Sequence, residues 1–202
     1  MKFELHWGGL HKIISGGQTG ADQGGIMAAW RRGVETGGQA ALGYKTQGGH
    51  NPILEVLELT QASSYSGRTK TNVASSDGTV IIAHHMSSPG TELTRREARL
   101  LNKPLLELNI IAIVQAAIRG QSVDNEEIVL EEIIGHASAL CDFIISNQIQ
   151  ILNVAGNREV RSEGLRQGDL IVTKTTEMIV GMAIDVLAAD GKIVTKKDKV
   201  DF

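Results

Sequence analysis

The chain has 202 residues, 42% of them hydrophobic and 21% charged, with a formal net charge of -3. That is ordinary globular composition, and a length that buries a core without staples. The balance excludes a global basic field for nucleic acid. The single cysteine, Cys141, excludes an internal disulfide.

Met1 to Trp7 carries two charges and a histidine and lacks a signal-peptide core, and no apolar stretch approaches the roughly 20 residues that span a bilayer. The expectation is a cytoplasmic protein with no membrane partner. Leu10–Ser15 reads as a strand, and Gly16-Gly17-Gln18-Thr19-Gly20 as a tight turn. Ala21–Arg32 reads as a helix whose small residues Ala21, Gly25, Ala28 and Ala29 let it lie close to a sheet. A short strand is predicted within Val34–Ala41. Leu42–Ser66 reads as a long irregular stretch, and Arg68–Ala74 as one or two helical turns. Thr79–Ala83 is the clearest central strand. Ser88-Pro89-Gly90-Thr91 breaks it, Glu92–Leu101 reads as a helix and Pro104–Leu108 as a strand. A helix over Ile128–Ile145, a strand over Ile149–Ala155 and a helix over Leu170–Ala188 complete the order. The last helix carries Ile171, Thr175, Met178, Ile179, Met182 and Val186 on one face. Strands alternating with helices predict one α/β, Rossmann-like domain over residues 1–202, with a largely parallel sheet and helices on both faces.

In such a sheet ligands sit beyond the carboxyl ends of the strands, where three turns fall: residues 15–22, 84–91 and 155–161. In the first, Gly17 and Gly20 match the last two glycines of a dinucleotide fingerprint, with Ser15 in place of the first. Gly16, Gly17 and Gly20 would bring backbone amides close to a phosphate, and Gln18 and Thr19 add donors. Asp22 would cap amides or accept a ribose hydroxyl. The same turn also serves a helix that simply packs on a strand. No acidic residue ends the second strand, since Glu35 precedes it and Gln39 stands nearer its end; that disfavours an NAD dehydrogenase. No lysine follows the glycines, which excludes a P-loop.

In the second turn, Gly90 and the amides after it would hold a second phosphate with Ser88 beside them, and Thr91 would cap the helix or bond the ligand; a plain helix cap is the other reading. In the third, Asn157 and Arg158 either meet a phosphate or face solvent. His84 and His85 follow the central strand toward the same edge, where His84 would touch a ligand; they lack metal-ligand spacing, so no metal site is expected. His136 has apolar neighbours and reads as core or interface, and Cys141 as a small core residue rather than a nucleophile.

The stretch from Ile14 to Asp22 resembles the signature of the putative molybdenum carrier family, part of the wider SLOG group that includes the LOG phosphoribohydrolases. The resemblance continues through Thr36-Gly37-Gly38, Tyr65, Arg68-Thr69, Asn72-Val73, Ser76–Thr79, Gly90–Thr94, Lys103-Pro104 and Leu152–Gly156, covering about residues 12–187. It implies a Rossmann-like fold and a homo-oligomer, a dimer or tetramer. It also implies a pocket for the molybdenum cofactor or another nucleotide-like phosphate ligand. Binding roles carry over to Gly16, Gly17, Gln18, Thr19, Gly20, Gly90 and Thr91, and to Arg68 and Asp77. The chain departs from the family pattern at Gln23, Gln39 and Pro89. Thr94 stands where LOG enzymes have a glutamate, which favours a non-catalytic binder. A sensor or sponge of NAD- or ADP-ribose-derived signals and a LOG-like nucleoside monophosphate phosphoribohydrolase are the alternatives.

Overall fold

The computed structural model describes residues 7–119, 126–160 and 170–195. The first six residues, and residue 161 at the end of the third turn, lie outside them. The chain runs through β1 (Lys12–Ser15) into α1 (Ala21–Arg31) and returns as β2 (Glu35–Gly37). β2 is the short strand expected within Val34–Ala41, and Gly38 ends it. Its φ is +109°, and a Cβ there would stand 2.3 Å from the Ser15 carbonyl oxygen, so only glycine passes. Beyond it β3 (Gln39–Ala41) leaves the main sheet. The stretch predicted as irregular contains a 3-10 turn (Leu42–Tyr44), a ribbon of β4 (Lys45–Thr46) and β5 (Gly49–His50), α2 (Ile53–Val56) and β6 (Thr60–Ala62), which pairs with β3.

The second half follows as α3 (Tyr65–Ala74), β7 (Gly78–Ala83), α4 (Pro89–Leu100), β8 (Leu105–Asn109), α5 (Ile111–Ile118), α6 (Glu126–Ser146), β9 (Ile151–Gly156) and α7 (Ile171–Ala189). The sequence reading missed α5, whose β-branched isoleucines and valine do not announce a helix. The central sheet has five parallel strands in the order β2-β1-β9-β7-β8. β7 is buried along its whole length, as a parallel strand covered on both faces requires.

The β1–α1–β2 crossover runs one way along the sheet and β7–α4–β8 the other, so right-handedness sets α1 and α4 on opposite faces. On one face α1, α7 and α6 pack in succession. On the other, α3 packs against α4, which lies over β7, β8 and β9. Ala21, Gly25, Ala28 and Ala29 are all buried, which lets α1 lie tight against α7 and β9. The buried face of α7 differs from the predicted one. Val172, Thr176, Ile179, Val180, Ala183 and Leu187 point inward, while Met178 and Val186 are about half exposed. The reversal of crossover direction gathers the carboxyl ends of β1, β9 and β7, and the site forms there.

Candidate functional site

Asn157, just after β9, ties the three turns together. Its backbone carbonyl accepts the Ala21 amide at the start of α1 (3.0 Å), and its side-chain oxygen accepts the His85 amide (2.6 Å). Its amide nitrogen donates to the His85 carbonyl (3.2 Å) and Ser88 Oγ (3.0 Å). Ser88 caps α4, its hydroxyl accepting from the Thr91 amide and donating to Thr91 Oγ1. Glu159 in turn caps α7: its carboxylate accepts the amides of Val172 and Thr173 and the Thr173 hydroxyl. Thr173 Oγ1 then accepts the Gly20 amide at 3.0 Å. Each helix start is thereby bound to a neighbouring turn.

Those bonds decide what the first glycine turn can do. The amides of Gly17, Gln18, Gly20 and Ala21 donate to Ser15 Oγ, Asp22 Oδ2, Thr173 Oγ1 and the Asn157 carbonyl. The expected row of free amides for a phosphate is therefore engaged inside the protein. Gly17 differs from expectation in orientation as well. Its φ is +71°, and a Cβ there would meet the methyls of Leu59 and Leu54 at 2.9 and 3.0 Å, on the apolar side of the turn. Gln18 and Thr19 reach Lys45 and Gln47 and fasten the β4–β5 ribbon to the turn. Packing explains this turn better than an anion cradle does.

The open space lies between this turn, α3 and the start of α4. An inner chamber of about 40 Å³ is lined by Gly16, Asp22, Tyr65, Arg68, Asn72, Gly90, Thr94, Asn153 and Arg158. An outer chamber of about 480 Å³ shares Tyr65, Gly90 and Arg158 with it and adds His84, His85, Ser88 and Glu159. The outer one is within the ~300–1,000 Å³ of small-molecule sites. Tyr65 stands where the two meet, with the Arg68 guanidinium 4.7 Å and the Arg158 guanidinium 5.8 Å from its ring centre. Both contacts are cation–π arrangements. Gly90 faces this opening: a Cβ there would lie 3.0 Å from the Tyr65 hydroxyl. As the second residue of α4, Gly90 has an amide with no intrahelical acceptor.

The charges are divided between the chambers. Asp22 is buried, and burial holds its pKa above the ordinary carboxylate value, with Arg68, the Gln18 amide and Arg158 pulling it back. His84 is half-buried, and burial and the neighbouring His85 push its pKa down, so a neutral ring is favoured. Its Nδ1 is buried without a hydrogen-bond partner.

Of the residues singled out from sequence, Gly16, Gln18, Asp22, Arg68, Gly90 and Arg158 line the inner chamber. His84, Ser88 and Asn157 line the outer one. Thr91 is buried, its hydroxyl engaged by Ser88 and Asn157. Asp77 is a correction: it precedes β7 at the amino end of the strands, where its carboxylate accepts the Gln150 and Ile151 amides, on the edge opposite the cleft. Of the departures from the family pattern, Gln23 bonds the Gly17 carbonyl and Gln39 is held by Asn72, and neither lines the two chambers. Tyr65, Asn72, Asn153 and Glu159 line the chambers without a site role expected from the sequence. Only the fold places Asn153, an asparagine inside a strand, at the chamber floor, although a polar residue in so apolar a run is a readable signal.

A family model described as the circularly permutated YpsA SLOG family matches residues 13–176, from β1 to the first turns of α7. The chain belongs to the circularly permutated YpsA SLOG family. The crystal structure of a putative molybdenum carrier protein from Syntrophus aciditrophicus SB is similar at 31% identity and a TM-score of 0.68. The match covers 87% of this chain and 96% of that one. No curated protein matches. Membership agrees with the Rossmann-like sheet and with helices on both of its faces. Among the described residues, no helix is long and apolar enough to cross a membrane, and no group of three or more His, Cys, Asp or Glu could hold a metal ion.

Proposed function

We propose that the cleft binds a phosphate-bearing, nucleotide-like small molecule without turning it over, as a carrier does. The observation that carries this reading is the start of α4. There Gly90, whose amide has no intrahelical acceptor, lines both chambers together with Arg158, while Ser88 caps the rest of the helix start. A helix N-terminus with an adjacent guanidinium favours a phosphate. Arg158 is exposed, so its share is salt-dependent. The Thr94 hydroxyl donates to the Gly90 carbonyl, and neither Glu92 nor Glu97 lines the chambers, which supports binding rather than glycosidic hydrolysis.

The similar protein's name as a molybdenum carrier supports the molybdenum cofactor as one member of this ligand class. Gly90 and Arg158 suit its phosphate, and the polar inner lining suits its ring edges. Cys141 lies on α6 with its Sγ donating to the Ala183 carbonyl, away from the cleft, so the metal would be carried by the cofactor's own sulfur atoms.

Calorimetric titration with adenosine 5′-monophosphate tests the placement. Wild type should bind and Gly90→Val should lose more than roughly tenfold in affinity, the equivalent of about 1.5–3 kcal/mol for a charged hydrogen bond. Gly90→Val binding as well as wild type would place the phosphate elsewhere.

A further inference from the structure

We infer that the open edge of β8 is a docking strip for an extended segment of another protein, one that alternates acidic and apolar residues. β8 closes one side of the central sheet and pairs only with β7. The Thr79 amide donates to the Pro104 carbonyl (3.0 Å) and the Ile110 amide to the Ala83 carbonyl (3.0 Å). In a parallel ladder alternate residues serve one neighbour, so Leu106 and Leu108 also bond β7, while Leu105, Glu107 and Asn109 turn their N–H and C=O groups outward. Among the described residues none of these outward groups has a partner. Native sheets blunt a free edge with proline, lysine, a bulge or a covering element. β8, Leu-Leu-Glu-Leu-Asn, keeps an unbroken register and contains neither proline nor lysine. Its one charge, Glu107, is drawn inward by Arg95 of α4 at 2.9 Å.

The two sides of the strip decide what it would take. Because Glu107 meets Arg95, the side chains of Leu105, Glu107 and Asn109 lie on the α4 face of the sheet. An added strand would set alternate side chains beside them. Over that face α4 opens a groove of about 710 Å³, lined by Leu93, Arg95, Arg96, Arg99 and Leu100. The Glu92 and Glu107 carboxylates are both held by Arg95. The charge left facing outward is therefore arginine. The Arg96 side chain is 62% exposed beyond one contact to Glu97, and Arg99 is exposed with no acidic partner among the described residues. Acidic side chains suit that face. On the opposite face, where α5 and α6 pack, Leu106 is half-buried and Ile111 is exposed, which suits apolar ones. A second copy suits the strip poorly. Two β8 strands paired across a two-fold would set Arg96 and Arg99 of both copies on one face of the joined sheet.

Fluorescence anisotropy of the intact protein tests this with a labelled Val-Asp-Val-Asp-Val-Asp peptide and its counterpart carrying lysine in place of aspartate. Wild type should bind the acidic peptide roughly tenfold or more tighter than the basic one, and less tightly as salt rises. Glu107→Pro removes an outward N–H and leaves the ladder to β7 whole, whereas Glu107→Ala loses the same Arg95 contact and keeps the N–H. The proline variant should therefore bind roughly fivefold or more weakly than the alanine one. Arg96→Glu with Arg99→Glu, both on the surface, should weaken binding by a similar factor, and thermal melts check that each variant folds. The peptide comparison in wild type depends on no variant. Proline and alanine variants that bind alike would overturn the pairing through the edge. Acidic and basic peptides that bind alike, or an acidic peptide that fails to bind at millimolar concentration, would overturn the proposal. Self-association lost in Glu107→Pro but kept in Glu107→Ala would assign the edge to a second copy and overturn it as well.

Discussion

Two glycines that look alike in the sequence do opposite work. Gly17 faces Leu54 and Leu59 in a left-handed conformation, whereas Gly90 faces the cleft within an ordinary helical turn. Gly17→Val should therefore lower the melting temperature markedly and Gly90→Val should hardly change it, with circular dichroism melts as the check. The residue pattern shows that a glycine is needed; it does not show which side of the turn the missing Cβ would occupy. Asp22 carries a second prediction. Its folded pKa lies above the ordinary 3.8, so the fold is stabilised where the carboxyl is protonated and loses that share as pH rises through the folded value. Asp22→Asn should melt higher than wild type at pH 7. The gain should shrink on acidification and vanish below about pH 3.8. A gain independent of pH would mean that burial of the charge is not its source.

At the level of elements, the helix starts were legible and their partners were not. The sequence offers Thr91 as the cap of a helix from Glu92, and the structure moves that start three residues earlier, to Pro89 with Ser88 as the cap of α4. That Asn157 would stitch β9 to α1 and α4 depends on β9 lying between β1 and β7, which no local pattern encodes. Asn157→Ala removes a buried amide that bonds His85 and Ser88, and should cost about 2–3 kcal/mol in chemical denaturation, mainly from groups left unpaired. The short strand expected within Val34–Ala41 is β2, but the strand that follows it, β3, is not legible, since the approach of Gly38 to Ser15 is a tertiary event. Repeated strand–helix alternation, by contrast, is written in local periodicity, and the parallel sheet followed from it.

Across the whole molecule, apolar side chains stand exposed on two helices. Leu130 and Ile134 on α6, with Met178 and Val186 on α7, are each about half exposed, and we propose that they pair copies of the chain. Light scattering at micromolar concentration should give a mass above 21.7 kDa, and a mass of 21.7 kDa at every concentration would rule the assembly out. Both chambers lie at the carboxyl edge of the sheet, where crossover direction reverses. Amide chemical-shift mapping of isotopically labelled protein titrated with adenosine 5′-monophosphate tests binding there most directly. Shifts should concentrate at Gly16, Gly90 and Arg158 and in the Arg68 Nε signal, with Asp77 and the opposite edge silent. Shifts centred on the Asp77 edge, or none at millimolar nucleotide, would contradict it.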